Sequence, residues 1–332
     1  MLKYVLKRLL MIIPMMLIII FIVFALASMS DVNPGRMILG GDATEEQVYE
    51  YNQELGLYDP LVVRYGNYIW DLLHGDFGTS YYYREPVMGI IMERWPNTIL
   101  LTFLSVGIAV LVGVSLGVLS AVRQYSILDR IATISSMLLS AIPTFCMAAL
   151  LILLFSYRLG LVPASGTTNG WKSWILPAIT LGISYSAQFL RFTRSTMLDT
   201  TRQDYIRTAR AKGVTESTTV WRHAFRNALL PLITLCGTTL GALLGGAVAM
   251  EKVFVIPGLG TLVSDALNRS DIPLVVGAIS LMAFTFMIIM LIVDLLYAVV
   301  DPRLRAKYSS GKQKRKAIAV EGGKNQHDEE EK

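Results

Sequence analysis

The sequence predicts an all-α polytopic membrane protein with about six transmembrane helices. Three observations carry that expectation. The 332 residues are 53% hydrophobic and only 17% charged, with a mean hydropathy of +0.50; soluble domains average about 25% charged residues. The chain contains six charge-free runs of 18 or more residues: Leu9–Ser30, Ile99–Val122, Ile131–Tyr157, Ser173–Leu190, Asn227–Met250 and Ile272–Val293. A helix rises about 1.5 Å per residue, so about 20 such residues cross a hydrocarbon core of about 30 Å. Positive charge is also unevenly shared. With the N-terminus inside and six alternating helices, 22 Lys and Arg fall on cytoplasmic segments and 8 on external ones. That asymmetry favours both termini in the cytoplasm.

The first run follows Lys3, Lys7 and Arg8 and ends near Ala25-Leu26-Ala27, a layout shared with secretory signals. Signal cores usually have about 7–15 apolar residues. This run is longer, so a retained first helix over residues 1–30 is expected.

Residues 31–98 form an external segment with 11 acidic and 4 basic residues. Thr44-x-x-Gln47 is a capping-box pattern that opens a short helix, and Gly56 suits its end. Asp59-Pro60 suits the N-cap and first position of a second helix, and Gly75 closes it. Leu61, Tyr65, Tyr68, Ile69 and Leu72 recur along it at helical spacing. Val87 to Arg94 reads as a short amphipathic surface helix ahead of Pro96. Trp70, Trp95, Trp171 and Trp174 fall near the outer interface, where indole rings are favoured.

Within the spans, Gly113-x-x-x-Gly117 and Gly241-x-x-x-Gly245 present small faces for close helix packing. Cys146 and Cys236 sit in apolar stretches and read as buried thiols. The three histidines are too far apart in sequence to suggest a metal set. After Tyr308 the tail is rich in Gly, Lys and Glu and reads as disordered. Its Lys312, Lys314, Arg315 and Lys316 are either lipid-facing or merely solvated.

The stretch from Arg191 to Pro231 is long, basic and placed between two spans. Asp204 to Lys212 reads as a helix that stops at Gly213. A second helix starts after Thr215 and runs into the fifth span. Small residues Thr208, Ala209, Ala211 and Gly213 leave room for another surface to approach. This is the layout of a docking element, not of a catalytic one.

DYIRTARAKG from Asp204 and RHAFRNALLP from Arg222 resemble the cytoplasmic coupling loop of ABC-transporter permeases, closest to the B-type subunit of the dipeptide/oligopeptide/nickel family. GDFGTS (from Gly75), ERWPNTI (Glu93), IPTF (Ile142), RLGLVPASG (Arg158), LPAITLG (Leu176), EKVFVIPGLG (Glu251) and DPRLR (Asp301) agree. Together they cover essentially the whole chain apart from the tail. One feature departs: the general permease motif has Glu-Ala-Ala, three residues, then Gly, whereas Arg207, Thr208 and Ala209 stand here.

The resemblance implies the type I importer permease fold. It divides the chain into a first helix (1–30), an external helical segment (31–98), a five-helix core (99–301) holding the coupling loop 191–230, and a cytoplasmic tail (302–332). It implies import of short peptides, nickel or a related small solute. The implied partners are a second homologous permease subunit, two ABC ATPase subunits and an external solute-binding protein, all at a cell membrane and without nucleic acid. Asp204, Tyr205, Arg207, Thr208, Ala209, Ala211 and Gly213 would couple to the ATPase. Pro257, Gly258 and Gly260 would shape an external gate or meet the binding protein.

Polar residues inside the runs are candidates for the pore: Ser140, Thr144, Ser184, Gln188, Thr234 and Thr238. The alternative for each is a hydrogen bond within or between helices. No G-x-x-x-x-G-K-[ST] phosphate loop occurs, so no cofactor is expected in this chain and ATP would be bound by partners. A secondary transporter is the rival reading, but such proteins usually keep ionisable groups in their spans, and the six runs contain none. A membrane enzyme would need a nucleophile with its base; Gly182-Ile183-Ser184-Tyr185-Ser186 misses the G-x-S-x-G pattern.

Overall fold

The computed structural model describes residues 2–29 and 33–300. The tail from 302 and the lysine cluster expected to meet lipid or water lie outside the described residues. The helices are α1 (Leu2–Ser28), α2 (Pro34–Leu39), α3 (Glu45–Glu54), α4 (Leu61–Leu73) and α5 (Val87–Val122). Next come α6 (Ile127–Ala141), α7 (Thr144–Leu151, continuing as a π-helical stretch to Arg158), α8 (Lys172–Thr201) and α9 (Asp204–Ala211). α10 (Glu216–Thr218) passes through a π-helical stretch, Thr219–Phe225, into α11 (Arg226–Gly246). α12 (Val248–Val253), α13 (Leu259–Asn268) and α14 (Ile272–Val300) follow.

Among the described residues, four helical stretches are long and apolar enough to cross a membrane: Arg8–Ser28, Val87–Val122, Glu216–Gly245 and Ile272–Tyr297. The pair α6–α7 adds a fifth if it is one broken span. The run at 173–190 lies in α8, which is long enough but carries more polar residues. α8 packs along the length of α5, so much of its surface faces protein.

Three local expectations change. Val87–Arg94 is not a separate surface helix; it is the first part of one 36-residue α5 that continues through Pro96. Val87, Ile90 and Ile91 pack on α13 and α14, so burial holds this end in register. The run Ile131–Tyr157 is broken by about 100° between Ala141 and Thr144. Pro143 has no N–H to donate, and Ile142 before it is extended at φ −83°, ψ 121°. The expected start of α4 shifts by one residue: Pro60, not Asp59, is the N-cap. The capping box Thr44–Gln47 forms as expected.

Glycine sets how closely α5 and α8 approach. A Cβ on Gly113 would strike Phe189 and the Ser186 carbonyl, and one on Gly117 would strike Thr193. Gly182 of α8 returns the arrangement, lying against Ile108. In the second motif the close contacts belong to Gly241 against Phe286 and Gly237 against Val293, while Gly245 faces open space. The working pair is therefore Gly237 and Gly241, one turn earlier than expected. Cys146 and Cys236 are free thiols, each half-buried and not fully buried as expected.

α6 is fastened to α8 by polar side chains. Arg194 donates to both carboxylate oxygens of Asp129, at 2.6 and 2.8 Å. Asp129 is buried and also accepts from Ser120 of α5 and from the Tyr125 N–H at 2.9 Å. One turn away, Arg191 donates to the Ser136 carbonyl and to Ser140 Oγ.

Candidate coupling hairpin and external gate

α9 is short and mostly polar, and one side chain holds it. Ile206 is fully buried among Val118 of α5, Met197 of α8, and Val220, Ala224 and Ala228 of the fifth-span helix. The residues expected from the sequence were the polar and small ones of this helix, and Ile206 was not among them. Its signal was its isolation, as the one large aliphatic residue in DYIRTARA. Asp204, Tyr205, Arg207, Thr208, Ala211 and Gly213 are exposed, whereas Ala209 is half-buried on the same side as Ile206. Tyr205 Oη accepts from Asn227 Nδ2 at 2.9 Å.

The helix ends in a Schellman motif. The Val214 N–H donates to the Ala209 carbonyl and the Gly213 N–H to the Arg210 carbonyl. Gly213 takes φ +79°, where a side chain is strained. A Cβ there would meet nothing within 4 Å. The demand for glycine is thus made by the backbone, and the turn faces open space. Arg210 reaches across it to Glu216, at 2.6 Å from Nη2 to Oε1.

The outer corner is built around a buried carboxylate. Glu251 of α12 is fully buried. Thr98 of α5 donates to its Oε1 at 2.6 Å, and the Thr261 N–H of α13 donates to its Oε2 at 2.8 Å. Thr98 Oγ1 in turn accepts from the Leu259 N–H, and Asn97 Nδ2 donates to the Pro257 carbonyl. Burial pushes the Glu251 carboxyl above its ordinary range, and the Thr98 and Thr261 hydrogen bonds partly oppose this.

Gly258 and Gly260 lie against that carboxylate, where a Cβ would collide with it. Neither has a positive φ, so close approach and not turn geometry requires glycine here. Both are buried and Pro257 is half-buried. In this conformation they work inside the chain and offer little surface to a binding protein. Val255, beside them, is exposed and strained at φ +52°.

The pore candidates fall into two groups. Ser140 and Ser184 donate to carbonyls one turn back, and Ser140 also accepts from Arg191. Gln188, Thr234 and Thr238 are exposed on α8 and α11, although both threonines also donate to their own helix. Thr144 sits half-buried at the first turn after the Pro143 break. Among the described residues no group of three or more His, Cys, Asp or Glu could hold a metal ion.

The chain is similar to known transport proteins along nearly its whole length. In solved structures it resembles inward-facing conformations of the MetNI methionine ABC transporter. One has a TM-score of 0.54 at 20% identity and covers 64% of this chain and 97% of that one. The other has a TM-score of 0.55 at 21% identity and covers 65% and 99%; this likeness concerns the fold. The glutathione transport system permease protein GsiC of Salmonella choleraesuis (strain SC-B67) is 41% identical over 307 residues, 92% of this chain and 100% of that one. Its counterpart in Escherichia coli (strain K12) is 40% identical over the same length. Residues 1–102 match the N-terminal family of binding-protein-dependent transport system membrane components. Residues 113–306 match the binding-protein-dependent transport system inner membrane component family. The chain therefore belongs to that family, as an ABC-importer permease of the dipeptide/oligopeptide/nickel branch.

Proposed function

We propose that this permease subunit forms half of a pathway for short peptides or peptide-like thiols of the glutathione type, driven by ATPase subunits that dock on α9. The observation that carries the docking part is the hairpin itself: an exposed polar helix, a left-handed glycine turn facing open space, and a single buried anchor. The substrate class is supported by the 41% identity to a glutathione permease along its full length. A second permease subunit, two ATPases and an external binding protein complete the proposed assembly. ATP binds to the ATPases, and this chain carries no cofactor. Both termini are cytoplasmic in this reading, as the distribution of Lys and Arg supports.

The transmission is mechanical. Closure of the ATPases displaces α9, and Ile206 passes that displacement to α5, α8 and α11, which meet around it. The Arg194–Asp129 and Arg191–Ser140 contacts then carry motion of α8 into α6, whose far end is the break at Pro143. Such rigid-body movement of packed helices is a common form of switching. The Arg207-Thr208-Ala209 sequence places no carboxylate at position 207, so the ATPase groove would be met by the exposed Arg207 and not by an acid.

Two measurements test the proposal. The complex is reconstituted in vesicles and uptake of labelled glutathione and of a tripeptide is followed with ATP inside. Uptake should require both the ATPases and the binding protein; uptake by this subunit without ATPases would overturn it. A reporter active only in the cytoplasm should work when fused after Thr215 and stay silent after Thr44.

A further inference from the structure

α4 divides into three sectors. Tyr65, Tyr68, Ile69 and Leu72 pack with Ile20 and Phe24 of α1 and Val276 of α14. Arg64, Asn67 and Asp71 line a crevice of about 200 Å³ shared with Gly56 and Tyr81. The third sector is Val62, Val63, Gly66, Trp70 and Leu73, which spans roughly 100° of the helix at 3.6 residues per turn. It is uncovered: Val62 is 73% exposed, Trp70 65% and Leu73 76%. A helix bathed in water would turn its polar sector outward. Here Asn67 and Asp71 do face outward and Arg64 is half-buried, but the apolar sector beside them is bare as well.

The depth of α4 explains the bare apolar sector. Tyr65 Oη donates to the Leu17 carbonyl of α1 at 2.7 Å, and its ring stands edge-on to Phe21 with centroids 5.2 Å apart. The apolar stretch of α1 runs from Arg8 to Ser28. Leu17 is eleven residues short of its outer end, about 16 Å at 1.5 Å per residue, or about half of a 30 Å core. α14 gives the same depth independently. Leu72 shares a cavity of about 510 Å³ with Met16, Ser280 and Phe284. Phe284 is twelve residues into α14, about 18 Å along it. Ala27 and Ile272 pack in one cluster, which sets the outer ends of α1 and α14 level.

We infer that α4 is an amphipathic helix sunk into the outer leaflet, with Val62, Val63, Trp70 and Leu73 against lipid acyl chains. The segment expected to stand outside the membrane is thereby split. α2 and α3 remain above the surface, while α4 reaches down along α1 and α14 to the level of Leu17, deeper than the about 5–10 Å of a helix lying in the interface.

The test uses the complete complex in phospholipid vesicles, with Cys146→Ser and Cys236→Ser in this chain and cysteine-free partners. Single cysteines at Val62, Trp70, Leu73 and, as a water-facing control, Glu46 are spin-labelled. Their collisions with oxygen and with a neutral nickel complex are then measured. Labels at 62, 70 and 73 should collide several-fold more with oxygen than with nickel, and the label at 46 should do the reverse. Nickel-dominated collisions at all three positions would place the face in water, open to a binding protein. Low collisions with both reagents would mean another subunit covers it. Either result overturns the assignment, and neither depends on which solute is carried. A second readout avoids the labels: acyl-brominated phospholipid should quench the fluorescence lost in Trp70→Phe, and absence of that quenching also counts against lipid contact.

Discussion

The two ends of this permease are fastened in opposite ways. At the α9 hairpin one aliphatic side chain, Ile206, enters the core, and the rest of α9 is mostly polar and exposed. At the outer corner a carboxylate, Glu251, is buried and satisfied by hydrogen bonds from α5 and α13. Nearby, Asp271 clasps Ser80 and the backbone N–H groups of Tyr81 and Tyr82. An apolar anchor is non-directional and tolerates sliding. A buried polar knot is directional, and loosening it exposes unsatisfied groups. The hairpin is thus held by non-directional packing, and the corner around Glu251 by directional bonds that fix one geometry.

The largest effect should come from breaking the knot. Glu251→Ala leaves Thr98 Oγ1 and the Thr261 N–H without their acceptor, at about 1–3 kcal/mol for each stranded group. Thermal unfolding of the purified complex should shift strongly downward. Glu251→Gln tests the charge alone. The folded carboxyl is raised above its ordinary 4.5, so folding favours the protonated form. That contribution is fully present below 4.5 and is lost as pH rises through the raised folded value. The unfolding temperature of wild type, compared with Glu251→Gln, should therefore fall as pH is raised from about 4.5. Parallel curves would mean the carboxyl is not perturbed.

Next in size is the loss of transport on altering the hairpin turn. Gly213→Val must place a β-branched residue at φ +79°, a local cost of about 1–2 kcal/mol. The spans are untouched, so membrane levels should stay near normal while stimulated ATPase and uptake disappear. Gly213→Asn separates backbone from contact, because Asn tolerates this conformation and a Cβ meets nothing within the chain. Uptake lost in Gly213→Asn would show that a partner sits on the turn. Ala211→Glu, on the exposed side, is the matching probe of the docking face. Ala209→Glu is less informative, since Ala209 is half-buried beside Ile206 and the substitution would disturb packing.

Much of this comparison was legible in the residues. Charge-free runs marked α1, α5, α11 and α14, and Thr44 with Gln47 marked a helix start that forms as expected. The hairpin helix and its stop at Gly213 followed from the same local rules. What escaped was set by tertiary contact. Periodicity could not tell that Val87–Arg94 continues into a span, because its burial is against α13 and α14, far off in sequence. Pro143 was visible, but composition across 131–157 is apolar on both sides of the break. Gly258 and Gly260 were expected to shape a gate or meet a binding protein, and only the position of Glu251 shows that they make room for a carboxylate.

Ile206→Ala should have an intermediate effect. Removing a buried aliphatic of this size costs about 2–5 kcal/mol. Here the loss falls on the seam where α9 meets α5, α8 and α11. The spans should still assemble, but displacement of α9 should be passed on poorly. In vesicles, uptake per ATP hydrolysed should drop, with Ile206→Val giving a partial drop. A fall in membrane level proportional to the fall in uptake would reduce Ile206 to a packing residue.

The smallest effect belongs to the ion pair that closes the hairpin. Arg210 and Glu216 meet with good geometry, two nitrogens on two oxygens, yet their side chains are 45% and 59% exposed. Exposed pairs are screened by salt and are worth about 0–1 kcal/mol. The Schellman bonds and Ile206 already define the turn without them. Glu216→Ala should therefore leave uptake close to wild type at physiological salt. The double change Arg210→Ala with Glu216→Ala should cost no more stability than either alone. A large effect of Glu216→Ala, matched by Glu216→Gln and insensitive to salt, would mean that Glu216 meets a partner's charge and not Arg210 alone. It would also extend the docking surface across the turn from α9 to α10.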